Sequence, residues 1–117
     1  MSKYGARRVK RDGYMFDSNA EQEHYVELCM RGHAGEITDL KVHPRFQLVK
    51  AFRDVDGKKV TGIRYFADFS YVDAMTGRTI VEDVKGVQTP LFRVKAKLFK
   101  LAIKEGRFDV DFRLVQV

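Results

Sequence analysis

The sequence predicts an α/β (α+β) domain in which a mixed central β-sheet is flanked by two helices, in the order αβββαβ. Three observations predict it. Ser18-Asn19-Ala20-Glu21 and Thr89-Pro90 are helix starts, the first a capping box and the second a threonine N-cap with proline at the first helical position. Between them lie runs rich in aromatic and β-branched residues, punctuated by Asp56-Gly57 and Thr76-Gly77, both turn signals. One more such run closes the chain.

Taken in order, Tyr14 to Phe16 is a short extended piece leading into the first helix, which runs to about Arg31, ahead of Gly32. An irregular connection through Gly35 follows, then a strand around Phe46 to Phe52. Gly62 to Val72 alternates and reads as one strand, which Thr76-Gly77 turns back into Thr79 to Val84. The second helix continues to about Lys104, before Gly106, and Phe108 to Val117 forms the last strand. No repeat, low-complexity tract or linker divides the chain, so residues 14–117 read as a single domain. Residues 1–13 are basic and turn-prone, with five Lys/Arg among the first eleven. They read as a flexible N-terminal arm on which Arg7, Arg8, Lys10 and Arg11 are candidates to lie along phosphates.

The totals exclude several classes. With 44% hydrophobic and 32% charged residues among 117, wholesale disorder is ruled out. Cys29 is the only cysteine, so an intrachain disulfide or a cysteine zinc cluster is impossible, which fits a reducing cytoplasm. No apolar run is long enough to cross a bilayer. No GxxxxGK[ST] or GxSxG stretch occurs, against a nucleotide-driven motor or a serine hydrolase. A net charge of +6 suits a polyanionic partner.

IVEDVKG, residues 80–86, is the unusual stretch. Strand side chains alternate between faces, so Ile80, Glu82 and Val84 share one face while Val81, Asp83 and Lys85 share the other. Asp68 sits inside the apolar run YFADFSYVD on the partner strand of the same hairpin. On the first helix, ~100° per residue places Glu21 in the sector of Tyr25, Leu28 and Cys29, facing the sheet, and Glu23 and Glu27 opposite. Closing the capping box with Ser18 is the plainer role for Glu21, and a buried salt bridge the plainer one for Asp83 and Lys85. Three acids gathered at one point repel and call for a cation, and hard oxygen ligands favour Mg2+ or Mn2+. Beside a lysine, such a cation is suited to phosphodiester chemistry.

An acid in one strand, (D/E)-x-K in the next and a glutamate on the preceding helix resemble the PD-(D/E)xK nuclease superfamily. More closely, KYGARR, FDSNAEQEHY, YFADFSYVD and VEDVKGVQTPLFRVKAKLF resemble a small phage and prophage family of unknown function grouped with Holliday-junction-resolvase-like endonucleases. Ala67 replaces the proline of the superfamily's PD. The resemblance implies a restriction-endonuclease-like core and a Mg2+-dependent endodeoxyribonuclease, a hydrolase acting on branched DNA in phage recombination or replication, in the cytoplasm of a bacterial host. It implies Glu21, Asp68 and Asp83 as metal ligands, a backbone carbonyl from Val84, and Lys85 attending the attacking water. Glu82 faces away from Lys85 and is left out. Two symmetric cuts in a four-way junction would need a C2 homodimer. A non-catalytic DNA-binding or scaffold protein of the same fold, and a site-specific nicking or restriction-like enzyme, are the alternatives. The intact acids and lysine speak against the first, and the short chain leaves little for reading bases.

Other residues carry less. His24, His33 and His43 lack paired-ligand spacing and read as incidental. Gln88 and Thr89 are within reach of a phosphate, although capping explains Thr89 equally. On the second helix Arg93, Lys97, Lys100 and Lys104 form one basic stripe, a solvated face. Leu91, Phe92, Val94, Leu98, Phe99, Leu101 and Ala102 spread over the other arc, with Lys95 in their midst. Lys95 either snorkels or holds a phosphate near the acids.

Overall fold

The computed structural model describes residues 8–117, so Arg7 and the start of the arm lie outside the described residues. From residue 9 the arm is not a free tail. Val9–Arg11 (β1) pairs antiparallel with Tyr14–Phe16 (β2). Asp12 and Gly13 turn between them at φ 51° and 84°, the positive φ values that a tight two-residue hairpin needs. The Tyr25 hydroxyl donates to Asp12 Oδ2 at 2.9 Å and holds the turn down. The Asp-Gly turn thus outweighs the basic composition.

Asn19–His33 (α1) starts where its capping residues place it, with the Ser18 side chain accepting from the Glu21 N–H. Glu21, Tyr25 and Leu28 are buried, while Glu23 and Glu27 are exposed. The helix runs two residues beyond Arg31, with Gly32 inside its last turn and Ala34 as C-cap.

The connection expected to be irregular contains a strand, Ile37–Val42 (β3). Its register shifts between Thr38 and Lys41, and Asp39 sits at φ 55°. This bulge makes Ile37, Leu40 and Val42 the inward residues, a spacing of three and then two that breaks strict alternation. After it come Arg45–Val49 (β4), Phe52–Arg53 (β5), Lys59–Val60 (β6), Ile63–Phe66 (β7), Phe69–Asp73 (β8), Thr79–Lys85 (β9), Pro90–Lys104 (α2) and Asp111–Gln116 (β10).

The main sheet has the order β10-β9-β8-β3, with β9 and β10 parallel and the other pairs antiparallel. The described chain is therefore α+β, with two helices and a mixed sheet. One face packs Phe69, Tyr71 and Ile80 against Tyr25 and Leu28 of α1. On the other, Val81, with Tyr65 of β7 and Ala67 after it, packs against Phe92, Ala96 and Phe99 of α2. Phe99 is fully buried against Phe46, Phe108 and Phe112, and burying one such ring contributes about 1.5–3 kcal/mol.

Gly62 to Val72 is not one strand. Tyr65 and Ala67 pack on the α2 side and Phe69 and Tyr71 on the α1 side, so the alternation flips at Asp68. β7 leaves the main sheet there to pair with β4, and β8 stays between β3 and β9.

The outer part of the expected apolar arc of α2 is also a correction. Leu91, Val94 and Leu101 are 64%, 54% and 50% exposed, because the sector of Phe92, Ala96, Phe99 and Ala102 is the one that meets the sheet. Among the described residues, no helix is long and apolar enough to cross a membrane.

Candidate active site

Glu21 is only 3% exposed, so its charge needs partners inside the fold. Its two oxygens divide the work. Oε2 accepts from the Asp17 N–H at 3.1 Å and closes the helix entry; Oε1 faces His43 Nε2 at 2.9 Å. Capping and inward placement, alternatives on the sequence, coexist.

His43 is held by its backbone. It sits at φ 55°, a left-handed conformation that costs a side-chain-bearing residue about 1–3 kcal/mol. Its N–H donates to the Asp68 carbonyl at 2.9 Å, and the Ala67 N–H donates to the Pro44 carbonyl at 3.1 Å. The β3–β4 corner is thereby fastened to the break between β7 and β8.

Phe69 pairs with Glu82 across the hairpin, which brings Asp68 opposite Asp83 one step on. Asp68 Oδ2 accepts from the Val84 N–H at 2.7 Å. Burial first, then Asp83 and Glu21, push the Asp68 carboxyl far above the usual carboxylate range, to about 9. Val84 thus meets the site through its N–H.

Asp83 is 1% exposed. The Tyr65 hydroxyl donates to its Oδ2, and burial together with Asp83 keeps that phenol protonated. Lys85 Nζ lies 2.9 Å from Asp83 Oδ1 and 4.5 Å from the centre of the Phe92 ring. That ion contact lacks hydrogen-bond geometry, and Asp83 Oδ1 is the one buried side-chain oxygen among the described residues without a hydrogen bond. Burial pulls the Lys85 ammonium's pKa down, but Asp83, then Asp68 and Glu21, outweigh it and raise it. In this structure the lysine and the acid form a salt bridge.

Donor atoms of Glu21, His43 and Asp68 all lie within 4.8 Å of one another, a spacing that one metal ion can span. Asp83 is outside that trio, because Glu21 comes from the α1 side of the sheet and Asp83 from the α2 side. Asp68, at the flip between faces, is what the two sides share. The family model described as a protein of unknown function, DUF1064, matches residues 1–115. The chain belongs to the DUF1064 family. No curated protein matches it.

Two of the three histidines of this DUF1064 chain are not incidental. Besides His43 on Glu21, His24 Nε2 lies 2.7 Å from Glu82 Oε1; His33 is exposed. No spacing motif announces either pairing, since each partner is distant in sequence. Among the weaker candidates, the Thr89 side chain caps α2 by accepting from the Phe92 N–H at 3.2 Å, and Gln88 is half-buried. Arg8 lies 3.7 Å from Asp17 on the surface, and Lys10 and Arg11 are exposed on β1. Lys95 is half-buried on α2, with no ion pair among the described residues.

Glu82 lies on the face of β9 away from Lys85, and it is buried. It accepts from the Tyr71 hydroxyl at 2.8 Å as well as meeting His24. Burial alone would raise its pKa; His24 and then Tyr71 outweigh that and hold it below the usual range. Glu82→Gln in this DUF1064 chain is expected to lower stability by about 2 kcal/mol, the scale of a lost charge-assisted hydrogen bond. Urea unfolding measures it, and an unchanged midpoint would mean the network contributes nothing.

Proposed function

We propose that this chain is a metal-dependent DNA endonuclease of the PD-(D/E)xK type, hydrolysing phosphodiester bonds in branched or structured DNA, as Holliday-junction-resolvase-like enzymes do. The meeting of Glu21, Asp68, Asp83 and Lys85 at the splayed end of one hairpin carries this reading. The order α1, β3, β8, β9, α2, β10 supports a restriction-endonuclease-like αβββαβ core, with β3 as first strand instead of Phe46 to Phe52 and β4 to β7 as an excursion. A phage or prophage origin and action in the host cytoplasm during recombination or replication complete the proposal, on the sequence resemblance.

The residues fit Mg2+ or Mn2+. Glu21, His43 and Asp68 offer ligand atoms within 4.8 Å of one another, and an Asp83 oxygen has no hydrogen bond. Glu21 and Asp68 would hold the cation together with His43, whose nitrogen donor suits Mn2+ better than Mg2+, and Asp83, outside that trio, would have to reach it from the α2 side. A bound cation supplies charge neutralisation at phosphate and a more acidic water. Tyr65 fixes the Asp83 carboxylate, and Lys85, once released from Asp83 Oδ1, would donate to a phosphate oxygen or to the attacking water. Incubation with Mg2+ and, side by side, four-way, flap, linear duplex and single-stranded DNA tests the reading. Preferential cutting of the branched forms is expected; no cutting of any of them in Mg2+ or Mn2+ would overturn it.

Lys95 is assigned to an adjacent phosphate on the same reading. Lys95→Met, which keeps the apolar stem, is expected to fold normally and cut at least ~10-fold more slowly, a loss of about 1.4 kcal/mol of transition-state stabilisation. Lys97→Met serves as comparison; equal, small effects of the two on the rate would return Lys95 to snorkelling.

The exposed ridge of Leu91, Val94 and Leu101 supports a homodimer, since it gives α2 an apolar strip to set against its two-fold mate. Sedimentation is expected to show a dimer that Val94→Glu dissociates. A wild-type monomer at micromolar concentration, still monomeric on junction DNA, would rule the dimer out.

A further inference from the structure

The excursion that leaves the main sheet after β3 and returns at β8 is itself a charged tool. Residues 45–66 contain Arg45, Lys50, Arg53, Lys58, Lys59 and Arg64 against Asp54 and Asp56, a surplus of four in a chain whose net charge is +6. All six basic side chains are exposed. The Asp54 carboxylate is already engaged, accepting from the Asp56 and Lys58 N–H groups at 2.9 Å each.

The ribbon has two distinct faces and a firm root. Phe46, Leu48 and Tyr65 pack into the α2-side core. Arg107 donates to the Leu48 and Gln47 carbonyls at 2.8 and 2.7 Å. At Gly62 a Cβ would come within 2.4 Å of the Val49 carbonyl oxygen, so only glycine lets the strands approach this closely. On the opposite face, Arg45 stands across from Phe66 and Gln47 across from Arg64. The Gln47 amide is spent on the Val49 and Ile63 carbonyls, which leaves Arg45, Phe66 and Arg64 as the groups presented outward. This row leads to the acids, because Phe66 lies two residues before Asp68 and Arg45 two after His43.

We propose that the outer face of the β4–β7 ribbon, with Lys59 nearer its tip, is the surface that grips duplex DNA beside the reactive acids. The proposal rests on the endonuclease reading for its ligand. Charge complementarity to phosphates argues for the occupant, and a two-stranded ribbon has the width a DNA groove admits. With its one amide engaged internally, the face grips by cations and an aromatic ring, directed chiefly at phosphates. The basic stripe of α2 is not the main grip.

Binding to a labelled linear duplex of about 25 base pairs, more than two helical turns, is read by fluorescence anisotropy in EDTA, which separates binding from cleavage. The variants are the triple Arg45→Gln, Lys59→Gln, Arg64→Gln and, on α2, the triple Lys97→Gln, Lys100→Gln, Lys104→Gln. At ~0.1 M salt the ribbon triple is expected to bind at least ~10-fold more weakly, with a log–log salt slope shallower by about two to three. The α2 triple should stay within about threefold of wild type, its slope unchanged. The charge-keeping triple Arg45→Lys, Lys59→Arg, Arg64→Lys should bind like wild type, which excludes misfolding of the ribbon as the cause. Equal losses in the two neutral triples, or none in the ribbon triple, while wild type still binds and cuts DNA, would overturn the ribbon proposal alone. A wild type that binds neither this duplex nor a four-way junction at any salt would overturn the endonuclease reading with it.

Discussion

Asp68→Asn is expected to abolish DNA cleavage and, in the absence of metal, to make the protein more stable. Asp68 is the group shared by the α1-side and α2-side acids, so its loss removes the link between Glu21 and Asp83. Losing one group of a preorganised site lowers rates by about 10²–10³-fold, which takes cleavage to background. The stability effect follows from the direction of its pKa. The folded value lies above the unfolded one, raised first by burial and then by Asp83 and Glu21. The stabilising proton is fully present below the ordinary carboxylate range and is lost as the pH rises through the folded value of about 9. In EDTA the wild-type Tm should therefore fall between pH 5 and 9, and the neutral, isosteric asparagine should flatten that fall. At pH 8 the variant should melt at least about 4 °C higher, the shift for ~1 kcal/mol in a domain of this size. Mn2+ should then raise the wild-type Tm and leave the variant's unmoved. Scanning calorimetry across pH decides it; parallel pH curves for the two proteins would mean that Asp68 is not held protonated by its neighbours.

Lys85→Met should lose cleavage as completely, with the opposite effect on stability. It strips the ammonium from Asp83, which is 1% exposed and keeps only the Tyr65 hydroxyl. Removing one partner of a buried ion pair costs about 3 kcal/mol at the low end, and the partial exposure of Lys85 places this pair there. The double variant Lys85→Met, Asp83→Asn should recover most of that stability, because the orphaned charge is gone, and should recover none of the activity. Urea midpoints and cleavage rates of wild type, Lys85→Met, Asp83→Asn and the double variant form the cycle. A double variant as unstable as Lys85→Met would mean that the pair is held by packing rather than charge.

What the sequence revealed was chemistry tied to local pattern. Ser18 and Glu21 read as a capping box because the partners are three residues apart, and Thr89-Pro90 marks a helix start by itself. Glu82 and Asp83 fell on opposite faces because β9 is regular over seven residues. Where the chain departs from strict period, the pattern misleads. The bulge at Asp39 hid β3, and the flip at Asp68 joined two strands of different sheets into one. On α2, hydrophobicity did not separate the core sector from the ridge of Leu91, Val94 and Leu101, since both are apolar. The Asp12-Gly13 hairpin was legible and was masked by the charge around it. His43 was not legible, because its role depends on a strained corner and on a glutamate 22 residues away.

That the buried acids around Asp68 form a divalent-cation site is open to calorimetric titration of the metal-free protein with Mn2+. Wild type is expected to bind saturably, with binding lost in Asp68→Asn and weakened at least about 10-fold in His43→Ala. No Mn2+ binding by wild type, or binding that Asp68→Asn leaves unchanged, would contradict it.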